Sequence, residues 1–178
     1  MATDQRQLTI LSSEEIAALY DLPQFNDDDR RLYFDLSPAE CDAVYRVHTV
    51  AAAVQLALQL AYFKSKRRFF VYEPENVADD LKYVVDRYFA DKDLGPFKVL
   101  SKPTRLDQQK IILELFNYRV ADQATKNELE QKAQRFAMLS TQPIYIMSEL
   151  LQYMESQRIV VPGYTYMQDM VGRAVTCE

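Results

Sequence analysis

Val54, Leu56, Ala57, Leu58, Leu60, Ala61, Tyr62 and Phe63 place apolar side chains on most faces of one helical segment, with no Gly or Pro to interrupt it. A helix apolar on most sides is buried on more than one, so this segment is the expected core of the fold. Upstream, Ser37-Pro38-Ala39-Glu40 reads as a helix start. The Ser37 hydroxyl can accept from free N–H groups of the first turn, Pro38 suits the first helical position, and Glu40 can reach back to complete a capping box. A break is expected near His48, with Thr49 capping the long segment. His48 reads as a structural residue of that junction, although a lone imidazole can also shuttle protons or contact a base. Immediately after the apolar run the chain turns basic, Lys64-Ser65-Lys66-Arg67-Arg68, a sequence that suits the negative end of a helix dipole and equally suits a polyanion.

The same patterning places the other elements. Met1 to Thr9 reads as a polar arm, and Ser12-Ser13-Glu14-Glu15 caps a short helix with Ile16, Leu19 and Tyr20 on its apolar face, ending before Pro23. Asn26-Asp27-Asp28-Asp29 starts a second short helix through Tyr33; the three aspartates lack the alternate spacing and trailing Glu of a calcium loop. Phe69 to Tyr72 reads as an extended connection. Pro74-Glu75-Asn76 starts a helix with Val77, Leu81, Val84, Val85, Tyr88 and Phe89 inward. Residues 95–104 carry Gly, Pro, Ser and Lys without helical period and read as a linker between two subdomains, 1–94 and 105–178. Thr104 is expected to start the next helix, with Leu106, Ile111, Ile112, Leu115 and Phe116 in its core face. Asp122 caps another, Pro143 begins one running to Met154, and Pro162-Gly163 sets a turn before a last helix from about Thr165. Met138, Met147, Met154, Met167 and Met170 are expected in the core. Short helices joined by three-to-five-residue turns are the parts of helix-turn-helix units, and the chain has room for two.

The expectation is therefore an all-α fold of about eight helices in two small helical subdomains with helix-turn-helix-like units. Composition agrees: 3 Gly against 12 Tyr and 9 Phe in 178 residues disfavours turn-rich sandwiches and barrels, and 48% hydrophobic content supplies a core. Two cysteines and one His leave no disulfide framework and little zinc or triad chemistry, and they point to a reducing compartment. No apolar leader and no run of 18 apolar residues appears, so no membrane partner is expected. Gly95, Gly163 and Gly172 are too far apart for a phosphate loop or a dinucleotide fingerprint, and no nucleophile elbow is present. The net charge of -5 is unevenly spread: residues 1–59 hold 4 basic and 10 acidic side chains, 60–110 hold 11 and 8, and 111–178 hold 6 and 8. The basic middle third can be one face of a nucleic-acid binder or an ordinary solvated surface.

Several stretches in order resemble the N-terminal region of the Tn-three-type replicative transposases. Ala57 to Lys64 with Arg68-Phe69, and Leu36 to Glu40 upstream, carry the first likeness; Leu11-Ser12 through Leu22-Pro23 and Tyr33-Phe34 fit the same opening. Thr104-Arg105 with Gln108, Gln109, Ile112, Leu113, Leu115 and Tyr118-Arg119 is similar to a second block, and Arg158 through Val161-Pro162-Gly163-Tyr164-Thr165 to a third. The chain departs from the pattern before the core helix, where Arg46 alone is basic among Arg46, Val47, His48, Thr49, Ala53 and Gln55.

The resemblance implies the non-catalytic, DNA-binding part of a transposase that recognises the terminal inverted repeats of its mobile element. It also implies a bacterial cytoplasmic, nucleoid-associated protein and a homodimer at full length. The acidic residues that hold divalent metal in that family lie in a later segment, so no cofactor and no catalytic residue is expected here. The end at Thr176-Cys177-Glu178, straight after a helix, fits a piece of a longer protein. The expected DNA contacts are Lys64, Lys66, Arg67 and Arg68, extended by Lys98, Lys102, Arg105 and Lys110, with Arg105 and Arg119 also matching the second block. The contrasting reading is a non-catalytic helical protein-interaction module.

Overall fold

The computed structural model describes residues 8–176, so most of the expected N-terminal arm and Cys177 fall outside it. Among the described residues there are nine α-helices: α1 Ser13–Tyr20, α2 Asp27–Tyr33, α3 Pro38–Tyr45, α4 Val50–Lys66, α5 Ala78–Tyr88, α6 Lys102–Phe116, α7 Gln123–Leu139, α8 Pro143–Ser156 and α9 Tyr164–Thr176. A single 3-10 turn, Pro74–Val77, leads into α5. No strand is present among them, and the protein is all-α.

The caps explain most helix starts. Ser12 with Glu15, Asn26 with Asp29 and Ser37 with Glu40 each form a reciprocal capping box. Each satisfies two backbone donors that would otherwise lack partners. Thr49 accepts from Ala52 N at 3.2 Å, so the chain breaks between α3 and α4 as its sequence predicts. Asp122 does the same for α7, accepting from Thr125 N at 2.8 Å. One start differs from expectation. α6 begins at Lys102, because Ser101 is its cap and Pro103 sits in the first turn, where its missing N–H costs no hydrogen bond.

The chain forms two compact units, Leu22–Asn117 and the segments up to Asp21 and from Tyr118 onward. This corrects the expected division at residues 95–104. That stretch and α6 belong to the first of these units: Gln55 Nε2 donates to the Lys98 carbonyl at 2.9 Å, and Phe116 stacks on Phe63 with centroids 5.5 Å apart. Ile112, expected to seed a second core, is therefore packed in the unit built on α4.

In that unit α4 is the axis, with α2, α3, α5 and α6 packed around it. Leu56, Leu58, Leu60, Tyr62 and Phe63 are fully buried. Removing a side chain of this size from water stabilises by about 1.5–3 kcal/mol each. Polar groups taken inside with them are paired. Asp80 accepts from Tyr62 Oη at 2.7 Å and from Arg30 Nε at 2.8 Å, and burial together with the Asp80 charge pushes the Tyr62 hydroxyl well above its ordinary value.

The other unit packs α7, α8 and α9 against one another around Leu129, Ile146, Leu150, Met154, Met167 and Met170, with Ile16 and Leu19 of α1 against the same core. Hydrogen bonds fasten α1 there. Leu11 N donates to Tyr164 Oη at 3.3 Å, and Tyr20 Oη donates to the Pro162 carbonyl at 2.7 Å. Two expected core residues are outside: Leu106 is 45% exposed and Met138 86% exposed. At 100° per residue Leu106 lies 120° round α6 from buried Ile112, and Met138 lies 140° round α7 from buried Ala133.

Candidate nucleic-acid interface

The nine cations singled out by the sequence have different surroundings. Lys64 is not a surface contact: its Nζ pairs with Glu40 Oε2 at 3.0 Å and donates to the Asp35 carbonyl at 3.2 Å, with both charged side chains mostly buried. It ties α4 to α3. Arg67 ends α4 in the left-handed conformation, φ 55°, and its guanidinium lies 5.6 Å from the Phe116 ring centroid and 6.0 Å from that of Phe63. Lys66 and Arg68 flank it, half-buried. Arg119 lies in the other unit, where its Nη1 donates to Thr125 Oγ1 at 3.1 Å and its Nη2 pairs with Glu128 at 3.4 Å. Its backbone bridges the chain to residues 158–160. Its position fits a structural tie.

The remaining four behave otherwise. Among the described residues, no hydrogen bond or ion pair involves the side chains of Lys98, Lys102, Arg105 or Lys110. Lys102, Leu106 and Lys110 follow one another at four-residue intervals and share one exposed face of α6. The row from Lys102 to Lys110 runs about 12 Å along the helix axis, a length over which duplex DNA carries about seven phosphate charges. Two exposed carboxylates adjoin the Lys110 end of the row: Glu114 is the next residue at the same interval, and Asp107 precedes Lys110 by three, although neither forms an ion pair with it among the described residues.

Beside the row, Arg105 is half-buried and lines two adjoining hollows of about 30 and 60 Å³. Three glutamines shape their walls. Gln108 Nε2 donates to the Ala52 carbonyl at 2.9 Å and so joins α6 to α4. Gln59 exchanges hydrogen bonds with both the N–H and the carbonyl of Phe70, holding the extended 69–72 segment as a neighbouring strand would. Gln55 holds Lys98 in the same way from one side. No Asp or Glu lines either hollow. The sequence reading named Gln55 only as a position that is not basic and gave Gln59 no role of its own. Their four-residue spacing, which puts two amides on one stripe of a buried helix, was the available signal.

The helices after the short turns are poor alternatives. α4 follows the 46–49 turn but buries 11 of its 17 residues, leaving too little free surface to enter a groove. α8 follows the 140–142 turn and contains neither Lys nor Arg. Three cations of that unit have partners within it: Arg173 pairs with Glu130 at 2.7 Å, and Lys126 and Lys132 lie over Tyr166 and Tyr153. Elsewhere, α5 carries a more open groove of about 490 Å³ lined by Pro74, Ala78, Leu81, Val85 and Leu94, with Lys82 and Asp86 paired at its rim. The aspartates at the α2 start are engaged locally, Asp27 with Arg30, Asp28 with Arg31, and Asp29 with the Asn26 N–H. No helix among the described residues is long and apolar enough to cross a membrane.

No curated protein matches the chain. Residues 10–174, covering α1 to α9 almost completely, match the family described as Domain of unknown function (DUF4158), and the chain belongs to that family.

Proposed function

We propose that this chain is the DNA-binding N-terminal part of a Tn-three-type replicative transposase, recognising the terminal inverted repeats of its mobile element. The observation that carries the reading is the group of four cations on and before α6 that have no ion pair among the described residues, beside a cleft free of carboxylates. A group of neighbouring cations that no carboxylate engages is a surface suited to phosphates even in an acidic protein. The ordered stretches that resemble the transposase family supply the rest. α6 is the helix that meets the duplex, entered through the long 89–101 connection and not the short turn of a helix-turn-helix unit, and Lys98, Lys102 and Lys110 fix its position on the backbone.

In this reading the chain carries no catalytic site of its own. Cutting and joining belong to the later acidic segment of the full-length protein with its divalent metal, and the full-length protein works in the bacterial cytoplasm, at the nucleoid, as a homodimer. The test is a competition between labelled terminal-repeat duplex and scrambled duplex of the same composition. Preferential retention of the repeat is expected. Absence of binding to either at about 50 mM salt, where phosphate contacts are strong, contradicts the reading.

A second reading has its own observation. The apolar groove on α5 suits an amphipathic helix of another protein, as a helical interaction module would use. Leu81→Lys separates the two, since it leaves DNA binding intact under the first reading and abolishes partner capture under the second.

A further inference from the structure

We infer that Arg105 and the amides around it form a seat for a single backbone phosphodiester of the bound duplex, which sets the register of α6. The inference rests on the DNA reading and goes further, because it separates one built contact from three diffuse ones. Lys98, Lys102 and Lys110 are exposed. Arg105 instead borders the two hollows, with Gln109 beside it and the Gln55, Gln59 and Gln108 amides in their walls.

The chemistry of that lining selects the ligand. A primary amide nitrogen has two N–H donors. Gln55, Gln59 and Gln108 each use one, on the carbonyls of Lys98, Phe70 and Ala52. The Gln109 side chain makes no hydrogen bond among the described residues. A guanidinium adds a planar fork that matches two oxygens of one phosphoryl group. Arg105 is the one charged residue in walls otherwise made of amides and apolar side chains, and no carboxylate opposes it. Amides can donate or accept, so the sign of the lining is set by the Arg105 guanidinium, which favours an anionic group.

Size narrows the choice. Hollows of about 30 and 60 Å³ hold the equivalent of roughly one to two liquid waters each, far below the 300 Å³ or more of a small-molecule pocket. The oxygens of one phosphodiester are of that scale. The walls are also fixed in place. Gln59 holds Phe70 by both backbone groups, and Gln108 joins α6 to α4, so the donors are positioned before the duplex arrives.

The experiment is a methylphosphonate scan of the terminal-repeat duplex, neutralising one phosphate at a time, with the parent chain and with Arg105→Gln. In the parent, one position per bound chain is expected to weaken binding by roughly 10- to 100-fold, as for a lost charge-assisted contact. In Arg105→Gln that position becomes silent while the others keep their smaller effects, and affinity falls alike on repeat and scrambled duplex. Arg105→Lys keeps the charge without the fork and should fall between the two. The melting temperatures of both variants are compared with the parent's, because Arg105 makes no side-chain hydrogen bond or ion pair among the described residues whose loss would unfold the chain. Inorganic phosphate offers the same oxygens and at constant ionic strength is expected not to displace the duplex. Displacement by it, with no sensitive phosphate in the scan, overturns the assignment to DNA. A scan in which the same phosphate stays sensitive in Arg105→Gln, or a variant that loses discrimination at one base pair only, overturns the seat while leaving the DNA reading standing. If no duplex binds at all, both fall together.

Discussion

Lys64 and Lys98 are both lysines of the basic middle third, and their substitution is expected to do opposite things. Lys64 faces Glu40, itself 6% exposed, so Lys64→Met leaves a buried carboxylate without its cation and costs about 1–3 kcal/mol in chemical denaturation. Lys98→Gln removes no side-chain hydrogen bond or ion pair among the described residues and leaves stability within about 0.5 kcal/mol of the parent. Equal stability of both variants would mean that the Lys64 pair is not formed in solution. A carboxylate of the other unit gives a pH signature. The hydrogen bond from Tyr153 holds Glu128 below its ordinary carboxylate value, with Arg119 acting the same way. A carboxylate depressed in the folded state binds fewer protons there than in the unfolded chain, so stability rises with pH between the depressed and the ordinary value. The contribution is complete at neutral pH, declines as the pH falls through the ordinary carboxylate range, and is gone below the depressed value. Melts from about pH 7 to about pH 3 should show the parent losing more stability than Glu128→Gln; parallel curves contradict the assignment.

At the level of elements, local signals were legible wherever the cause was local. Ser12, Asn26, Ser37, Thr49 and Asp122 cap the helices their sequences announce, because a cap needs only side chains within three residues of it. The start of α6 was missed because Pro103 reads equally as a linker residue and as a first-turn residue, and the neighbouring Ser101 decides between them. Leu106 was placed in the core on hydrophobicity, although the turn of the helix carries it to the side opposite the α4 contact. That misplacement matters for the site, since an exposed Leu106 between Lys102 and Lys110 shows that this face is turned outward. Ser101→Ala should destabilise α6 by about 1 kcal/mol and weaken DNA binding on every sequence alike, read by urea denaturation and duplex titration. A loss confined to one base pair would argue that Ser101 acts at the DNA itself. The central helix gives the firmest number. Leu60 is completely buried, and Leu60→Ala should cost roughly 2–5 kcal/mol. A calorimetric loss below about 1 kcal/mol would remove α4 from the centre of its unit.

For the molecule as a whole, the sequence predicts two helical subdomains but not their membership. The bonds that place α1 with α7 to α9 join residues more than 140 positions apart, such as Tyr20 to Pro162 and Leu11 to Tyr164, and no local pattern encodes such pairing. The candidate interface was legible to the same limited degree. Composition shows the basic third, but only tertiary contacts separate Lys64, taken up by Glu40, and Arg67, stacked on Phe116, from Lys98, Lys102, Arg105 and Lys110. The central claim is that these four meet DNA phosphates, and its most direct test is the slope of log affinity against log salt. Four phosphate contacts give a slope of about -3 to -4 for the parent, and replacing Lys98, Lys102 and Lys110 together by Gln should flatten it by about three units on any duplex. If the triple variant melts like the parent and keeps both its affinity and its slope, DNA does not bind on this face of α6.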